Sequence, residues 1–301
     1  MKEVFVSHIN LQLCVQTFGE IKNPAVVLIV GAAGQAILWP RKFCENLALE
    51  GYFVIRYDHR DTGLSSAIDF ELSPYNLQDM AGDVVGILDH FKIKQAHIIG
   101  MSMGGYIAQN LAIYYPNRII STTLFMTTIN SMAMRGVRGI DNLPGQDPGV
   151  AKEFAKLYQT PRVTLEDRLN TLIRTWELFN GAMVKFSYDE WYPIAENSYQ
   201  RAKTKSAVRN HRLAVLNSPA DRTQILKEIV LPPTLIIHGQ ADPIVQVDHA
   251  LYAHKHLPQT KLVIIKEMGH LFSSLFIDQV LDVVLEHFLK IRRKESELED
   301  D

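Results

Sequence analysis

Apolar and polar residues alternate with period two over residues 4–6 and 11–17. That is the pattern of two half-buried strands, with Gln12 and Gln16 on the outer face. Residues 25–30 are instead continuously apolar between Pro24 and Gly31, as in a strand covered on both faces. Helical spacing follows over 35–50, marked by Ile37, Phe43 and Leu47, and stops at Gly51. The alternation then continues as strand 53–57, helix 76–90, strand 96–99, helix 102–115 and strand 119–126. A β-α-β-α order of this kind predicts an α/β fold, a mostly parallel sheet with helices on both faces.

The texture changes at residue 131. No strand pattern is visible from there to Pro219, and Leu143-Pro144-Gly145 and Asp147-Pro148-Gly149 mark turns. Successive helical patterns follow. The clearest spans 163–179, where Thr164 and Asp167 have the spacing of a capping box. Ser187 is placed to cap a further helix carrying Trp191, Tyr192 and Tyr199. After Pro232-Pro233 the alternation resumes with strand 234–238, helix 246–257, strand 261–266 and helix 271–291. The expected organisation is a first part of an α/β core at 1–130, a helical cap inserted at 131–219, and the second part of the core at 220–301.

Composition narrows the class. The chain has 301 residues, 47% hydrophobic and 21% charged, enough for one sizeable core with an insertion. Its formal charge of −2 is accounted for by the last ten residues, which hold three basic and five acidic side chains. The neutral remainder lacks the basic face that nucleic acid requires and the polybasic patch that an anionic membrane attracts. The longest apolar stretch, 25–34, is about half of what spans a bilayer. The first residues do not have the unbroken apolar run of a signal peptide. Cys14 and Cys44 cannot form a disulfide framework, and no CxxC pair is present. A soluble, cytoplasmic protein is expected.

Candidate chemistry centres on Gly100-Met101-Ser102-Met103-Gly104-Gly105. The G-x-S-x-G pattern gains its meaning from a strand before it and a helix after it, because that setting makes a sharp turn with the serine at its apex. A serine hydroxyl is a poor nucleophile until a base takes its proton and a third group orients that base. Of the eleven histidines, His270 stands in a short loop leaving the last strand. His249, His254 and His256 fall on the preceding helix, and His238 ends a strand in what reads as a structural position. Asp242 follows the strand at 234–238 and precedes Pro243. Residues just beyond parallel strands converge on one edge, where ligands bind. Ser102, Asp242 and His270 meet that condition in the chain order Ser…Asp…His. An oxyanion needs two N–H donors. The amide of Met103 supplies one, and the small-residue loop Gly31-Ala32-Ala33-Gly34 offers that of Ala32 as the other. That loop has neither the G-x-G-x-x-G of a dinucleotide site nor a P-loop lysine.

These features resemble the α/β-hydrolase superfamily. Tyr57-Asp58-His59-Arg60-Asp61-Thr62-Gly63-Leu64-Ser65 is similar to the D-x-R-G-x-G-x-S turn of many members, with Asp61 where glycine is usual. Within the superfamily the chain looks most like aclacinomycin methylesterase-like carboxylesterases, through Trp39-Pro40, residues 54–63 and Ser102-Met103-Gly104. The resemblance implies a catalytic triad of Ser102, Asp242 and His270. It also implies an oxyanion hole of the Ala32 and Met103 amides, hydrolysis through an acyl-enzyme, and no cofactor or metal. Ala32 stands where the methylesterase has glycine, which an amide donor tolerates. The cap does not match well, so the substrate does not carry over. Met132, Met134, Trp176, Met183, Trp191 and Tyr192, with Trp39 and Met126 from the core, suggest an apolar pocket. No arginine pair is evidently placed to clamp a carboxylate. The expected activity is hydrolysis of a small-to-medium, apolar carboxylic ester. Lactone, C–C bond and prolyl-amide hydrolysis, cofactor-free peroxidation and a non-catalytic receptor are the alternatives.

Overall fold

The computed structural model describes residues 1–137, 141–204 and 206–299, with side chains described as far as 293. Eight strands form one sheet: β1 (Lys2–His8), β2 (Leu11–Phe18), β3 (Ala25–Ile29), β4 (Phe53–Tyr57), β5 (Ala96–Met101), β6 (Ile119–Phe125), β7 (Thr234–Gly239) and β8 (Lys261–Ile265). Their spatial order is β1-β2-β4-β3-β5-β6-β7-β8. The β1/β2 and β2/β4 pairs are antiparallel and the others are parallel.

The continuous apolar run of β3 follows from its central position. Successive side chains of a strand point to opposite faces. Val27 and Ile29 enter one core layer, and Val26 and Leu28 enter the other. The first layer is completed by α2 (Leu77–His90), α3 (Met103–Tyr114) and α9 (Asp248–His256). The opposite face is covered by α1 (Arg41–Leu49) and α10 (Ile277–Glu299), through Phe43, Leu47, Val280 and Phe288.

Between β6 and β7 run α4 (Pro148–Gln159), α5 (Leu165–Asn180), α6 (Tyr188–Arg201), α7 (Ala207–Leu216) and α8 (Thr223–Glu228). The expected caps are present. Thr164 and Asp167 make a reciprocal capping box on α5, and Ser187 accepts from the Glu190 amide on α6. Leu169, Ile173, Trp176, Phe186, Trp191 and Ala195 form a separate small core among these helices. The two ends of the segment meet where it leaves the sheet: Ser131 N donates to Ala220 O at 2.7 Å, and Asn130 bridges Asp221.

Three expectations change. Helix 35–50 is a 3₁₀ turn at Ala36–Leu38 followed by α1, because Pro40 holds an extended backbone between them. The final helix begins at Ile277 instead of 271, since the loop from His270 continues through a 3₁₀ turn at Ser274–Phe276. Gln16 is buried, not outward. It donates to Glu3 at 2.8 Å and accepts from Arg56 at 2.9 Å, inside a polar seam between β1, β2 and β4. Among the described residues no helix is long and apolar enough to cross a membrane.

Candidate active site

Ser102 sits between the end of β5 and the start of α3 with φ +54° and ψ −118°. A non-glycine residue held there stores roughly 1–3 kcal/mol of strain, which the surroundings must offset. Its amide donates to Phe125 O of β6 at 2.9 Å, and its carbonyl accepts the Thr127 hydroxyl at 2.8 Å. The flanking glycines are steric requirements. A methyl at Gly100 would collide with the Gly104 carbonyl, and one at Gly104 with the Ile29 carbonyl.

His270 Nε2 lies 3.0 Å from Ser102 Oγ, and His270 Nδ1 lies 2.7 Å from Asp242 Oδ2. With Nδ1–H donated to the carboxylate, Nε2 of the neutral ring is free to accept the serine proton. The other Asp242 oxygen accepts the Ile244 and Val245 amides at 2.8 and 2.9 Å. Burial alone would raise the Asp242 pKa. The facing His270 and the hydrogen bonds from His238 and His270 outweigh it and hold the carboxyl well below its ordinary range. His238 Nε2 lies 3.4 Å from Asp242 Oδ2 and donates to Val245 O at 2.6 Å, so its part is closer to the site than a strand-end position suggested. The His270 backbone is held by the C-terminus of α5: its amide donates to Phe179 O at 2.7 Å, and the Phe179 ring stands edge-on at 5.5 Å.

Ala32 and Met103 line the same cavity as Ser102. Neither amide is hydrogen-bonded within the described residues, whereas the neighbouring Ala33 amide donates to His211 Nδ1 at 2.9 Å. His211 in turn donates from Nε2 to Arg60 O at 2.8 Å, and His59 Nε2 donates to Val30 O at 2.9 Å. Two buried histidines therefore brace the loop that carries Ala32; the sequence showed His59 only as part of the strand-end turn and did not point to His211. The strand-end turn adds a third brace, in which Asp58 accepts the Ala36 and Leu64 amides and pairs with Arg201 of α6 at 2.8 Å. Asp61 adopts φ +69°, which explains why glycine is usual there. Its carboxylate accepts from Ile68 N, Tyr75 Oη and Asn210 Nδ2 at 2.6, 2.6 and 3.1 Å.

Above the serine lies a cavity of about 800 Å³, walled by Leu38, Leu172, Trp176, Phe179, Trp191 and Leu271. Trp176 and Trp191 were expected there. Trp39 and Met126 are fully buried in the layer beneath, where Trp39 stacks with Phe43 and Phe125, so they do not line the cavity. Met183 and Tyr192 are 55% and 42% exposed and lie outside it; Tyr192 follows Trp191 on α6 and so points to a different side of the helix. Arg135, Arg162, Arg168 and Arg212 also border the cavity, which the sequence did not indicate. They come from separate turns and helices that fall together only in the fold.

The parallel sheet, the serine elbow at the end of β5 and the Ser102–His270–Asp242 line define a class. Residues 24–275 match the alpha/beta hydrolase fold family, and the chain belongs to it. It is 31% identical over 273 residues to rhodomycin D methylesterase of Streptomyces peucetius, covering 88% of this chain and 91% of that one. The corresponding methylesterase of Streptomyces sp. strain C5 is 33% identical over 260 residues, covering 84% and 86%. Among solved structures, the 2-hydroxy-6-oxo-6-phenylhexa-2,4-dienoate hydrolase of Rhodococcus sp. strain RHA1 superposes with a TM-score of 0.74 at 23% identity. It covers 95% of this chain and 99% of that one, a likeness of fold.

Proposed function

We propose that the protein is a serine carboxylesterase acting on an ester with a small alcohol group and a bulky acid portion. The reading is carried by the hydrogen-bonded line from Ser102 through His270 to Asp242 on the floor of a large cavity. The names of the two methylesterases support a methyl ester. Ser102 Oγ attacks the ester carbonyl while His270 Nε2 takes its proton. The Ala32 and Met103 amides, in the loop after β3 and at the N-terminus of α3 respectively, hold the tetrahedral oxyanion. His270 returns the proton to the departing alkoxide. Water, deprotonated by His270, then cleaves the acyl-enzyme and regenerates the serine. Asp242 keeps the productive tautomer throughout. Segment 131–219 acts as the cap that excludes bulk water, and the buried free thiols of Cys14 and Cys44 suit a reducing compartment such as the cytoplasm.

A panel of aryl and alkyl methyl esters, scored by acid release, tests this. Ser102→Ala is expected to lower kcat by about 10⁴-fold or more, and a fluorophosphonate should label the parent but not the variant. Unchanged turnover in Ser102→Ala sinks the proposal.

A further inference from the structure

The residue that ends β6 shares the backbone strain of the nucleophile. Met101 and Phe125 are partners in the β5/β6 pair, and the residues next beyond them, Ser102 and Met126, have φ +54° and +49°. Strain of this kind in a non-glycine residue persists only where the surroundings over-determine it. Met126 N donates to Ile237 O of β7 at 2.9 Å, and Thr128 O accepts the Gln109 side chain of α3 at 2.9 Å. Thr127 is thus held from both sides. It is buried, and its side chain fills the space that a Cβ on Gly105 would need.

That side chain donates its hydroxyl to Ser102 O at 2.8 Å, and the same oxygen accepts the Gly105 amide at 2.9 Å. Two donors from different directions hold the oxygen, where one would leave the peptide free to swing. A peptide is planar and trans, so the Ser102 carbonyl and the Met103 N–H point in opposite directions within one plane. Fixing the oxygen therefore fixes the aim of the N–H. Met103 opens α3, where an amide has no intrahelical acceptor. The Ala32 donor is aimed by backbone instead, since the carbonyl before it, Gly31 O, accepts the Gly34 amide at 3.1 Å.

We infer that Thr127 is a positioning residue of the oxyanion hole: through the Ser102–Met103 peptide, its hydroxyl aims the Met103 N–H at the tetrahedral oxygen. Thr127 lies outside the cavity lining and reaches the substrate only through that peptide. This rests on the esterase reading and adds to it a side chain whose contribution falls in the transition state, where the oxyanion forms. The strained turn at Met126 belongs to the same device, because it sets where Thr127 begins.

Hydrolysis of p-nitrophenyl butyrate by the full-length protein and two variants tests this. Thr127→Val keeps the methyl against Gly105 and removes the hydroxyl; Thr127→Ser does the reverse. Thr127→Val is expected to lower kcat by about tenfold, part of the roughly 10²–10³-fold that losing a whole oxyanion donor costs, with KM within about twofold. Thr127→Ser should keep kcat within about twofold of the parent while lowering the urea midpoint, since only packing is lost. The acid limb of the kcat/KM profile should not move in either variant, because His270 keeps its partners. Equal kcat losses in the two variants would reduce the side chain to packing, and a shifted limb would place its effect at His270; either overturns the inference, as does an unchanged kcat in Thr127→Val. Labelling by a fluorophosphonate, whose phosphoryl oxygen enters the same hole, reads the aim without turnover and should slow about tenfold in Thr127→Val. If the parent is labelled but cleaves no ester, the esterase reading fails and the labelling rate decides: an equal rate in Thr127→Val overturns the aim. A parent that resists labelling overturns both.

Discussion

His211 connects α7 to the loop that presents the Ala32 amide, and it does so as a neutral ring. Its Nδ1 accepts the Ala33 amide and its Nε2 donates to Arg60 O, an arrangement only the uncharged tautomer can make. Burial lowers its pKa and keeps it in that form. His211→Leu removes the acceptor and is expected to lower kcat by about tenfold or more with little change in KM, since an oxyanion donor acts mainly in the transition state. His211→Asn, whose Oδ1 takes the place of Nδ1, should recover most of the loss. An equal loss in both variants would mean the ring matters for packing alone. Asp242→Asn tests the other end of the site and should cost kcat about 10⁴-fold through the wrong His270 tautomer. The residues of this line could be read in the sequence because each follows a strand at one sheet edge. His211 could not, because its partner lies 178 positions away and no local pattern marks it.

Among elements, the turn from β5 into α3 leaves no room for a side chain at its glycines. A methyl on Gly104 meets the Ile29 and Val30 carbonyls, which belong to the central strand and its exit and cannot yield as a flexible side chain would. Gly104→Ala is therefore expected to lose about 2–3 kcal/mol of stability by overpacking, read from urea midpoints, and to displace Ser102. The strands were legible because period and position agree: β3 is apolar throughout since both its faces are covered. The helices over the cavity were legible as helices, through Thr164, Asp167 and Ser187, but not as a lining. Amphipathic spacing says which residues are apolar, not which of two neighbouring cores they enter. Trp39 and Met126 went to the layer under the sheet, and Met183 and Tyr192 went to the surface. The α5 terminus that grips the His270 backbone left no sequence signal, because the contact is made by the carbonyl of Phe179.

For the whole molecule, buried histidines weaken the fold in acid. Burial, helped by the charge of His211, pulls His59 down to about 3, and burial with His287 pulls His97 to about 3. Both are neutral in the fold, while the unfolded chain takes up their protons near pH 6.5. Stability is then full above about 6.5 and falls toward pH 3, by about 1.4 kcal/mol per pH unit for each histidine. Urea unfolding at pH 7 and pH 5 should show this loss, and His97→Asn should make the slope shallower. A midpoint that stays constant between those pH values would contradict it. The join at Ser131 and Ala220 bears on how such a molecule diversifies. Because the ends of the helical segment are clasped together, the chain between them is a closed excursion, and doubling its length costs only about 0.6 kcal/mol in closure entropy. A lineage can lengthen, shorten or trade that excursion and so change what it digests, while the sheet beneath inherits its chemistry intact, provided Arg201 and His211 are kept to hold the newcomer to the floor.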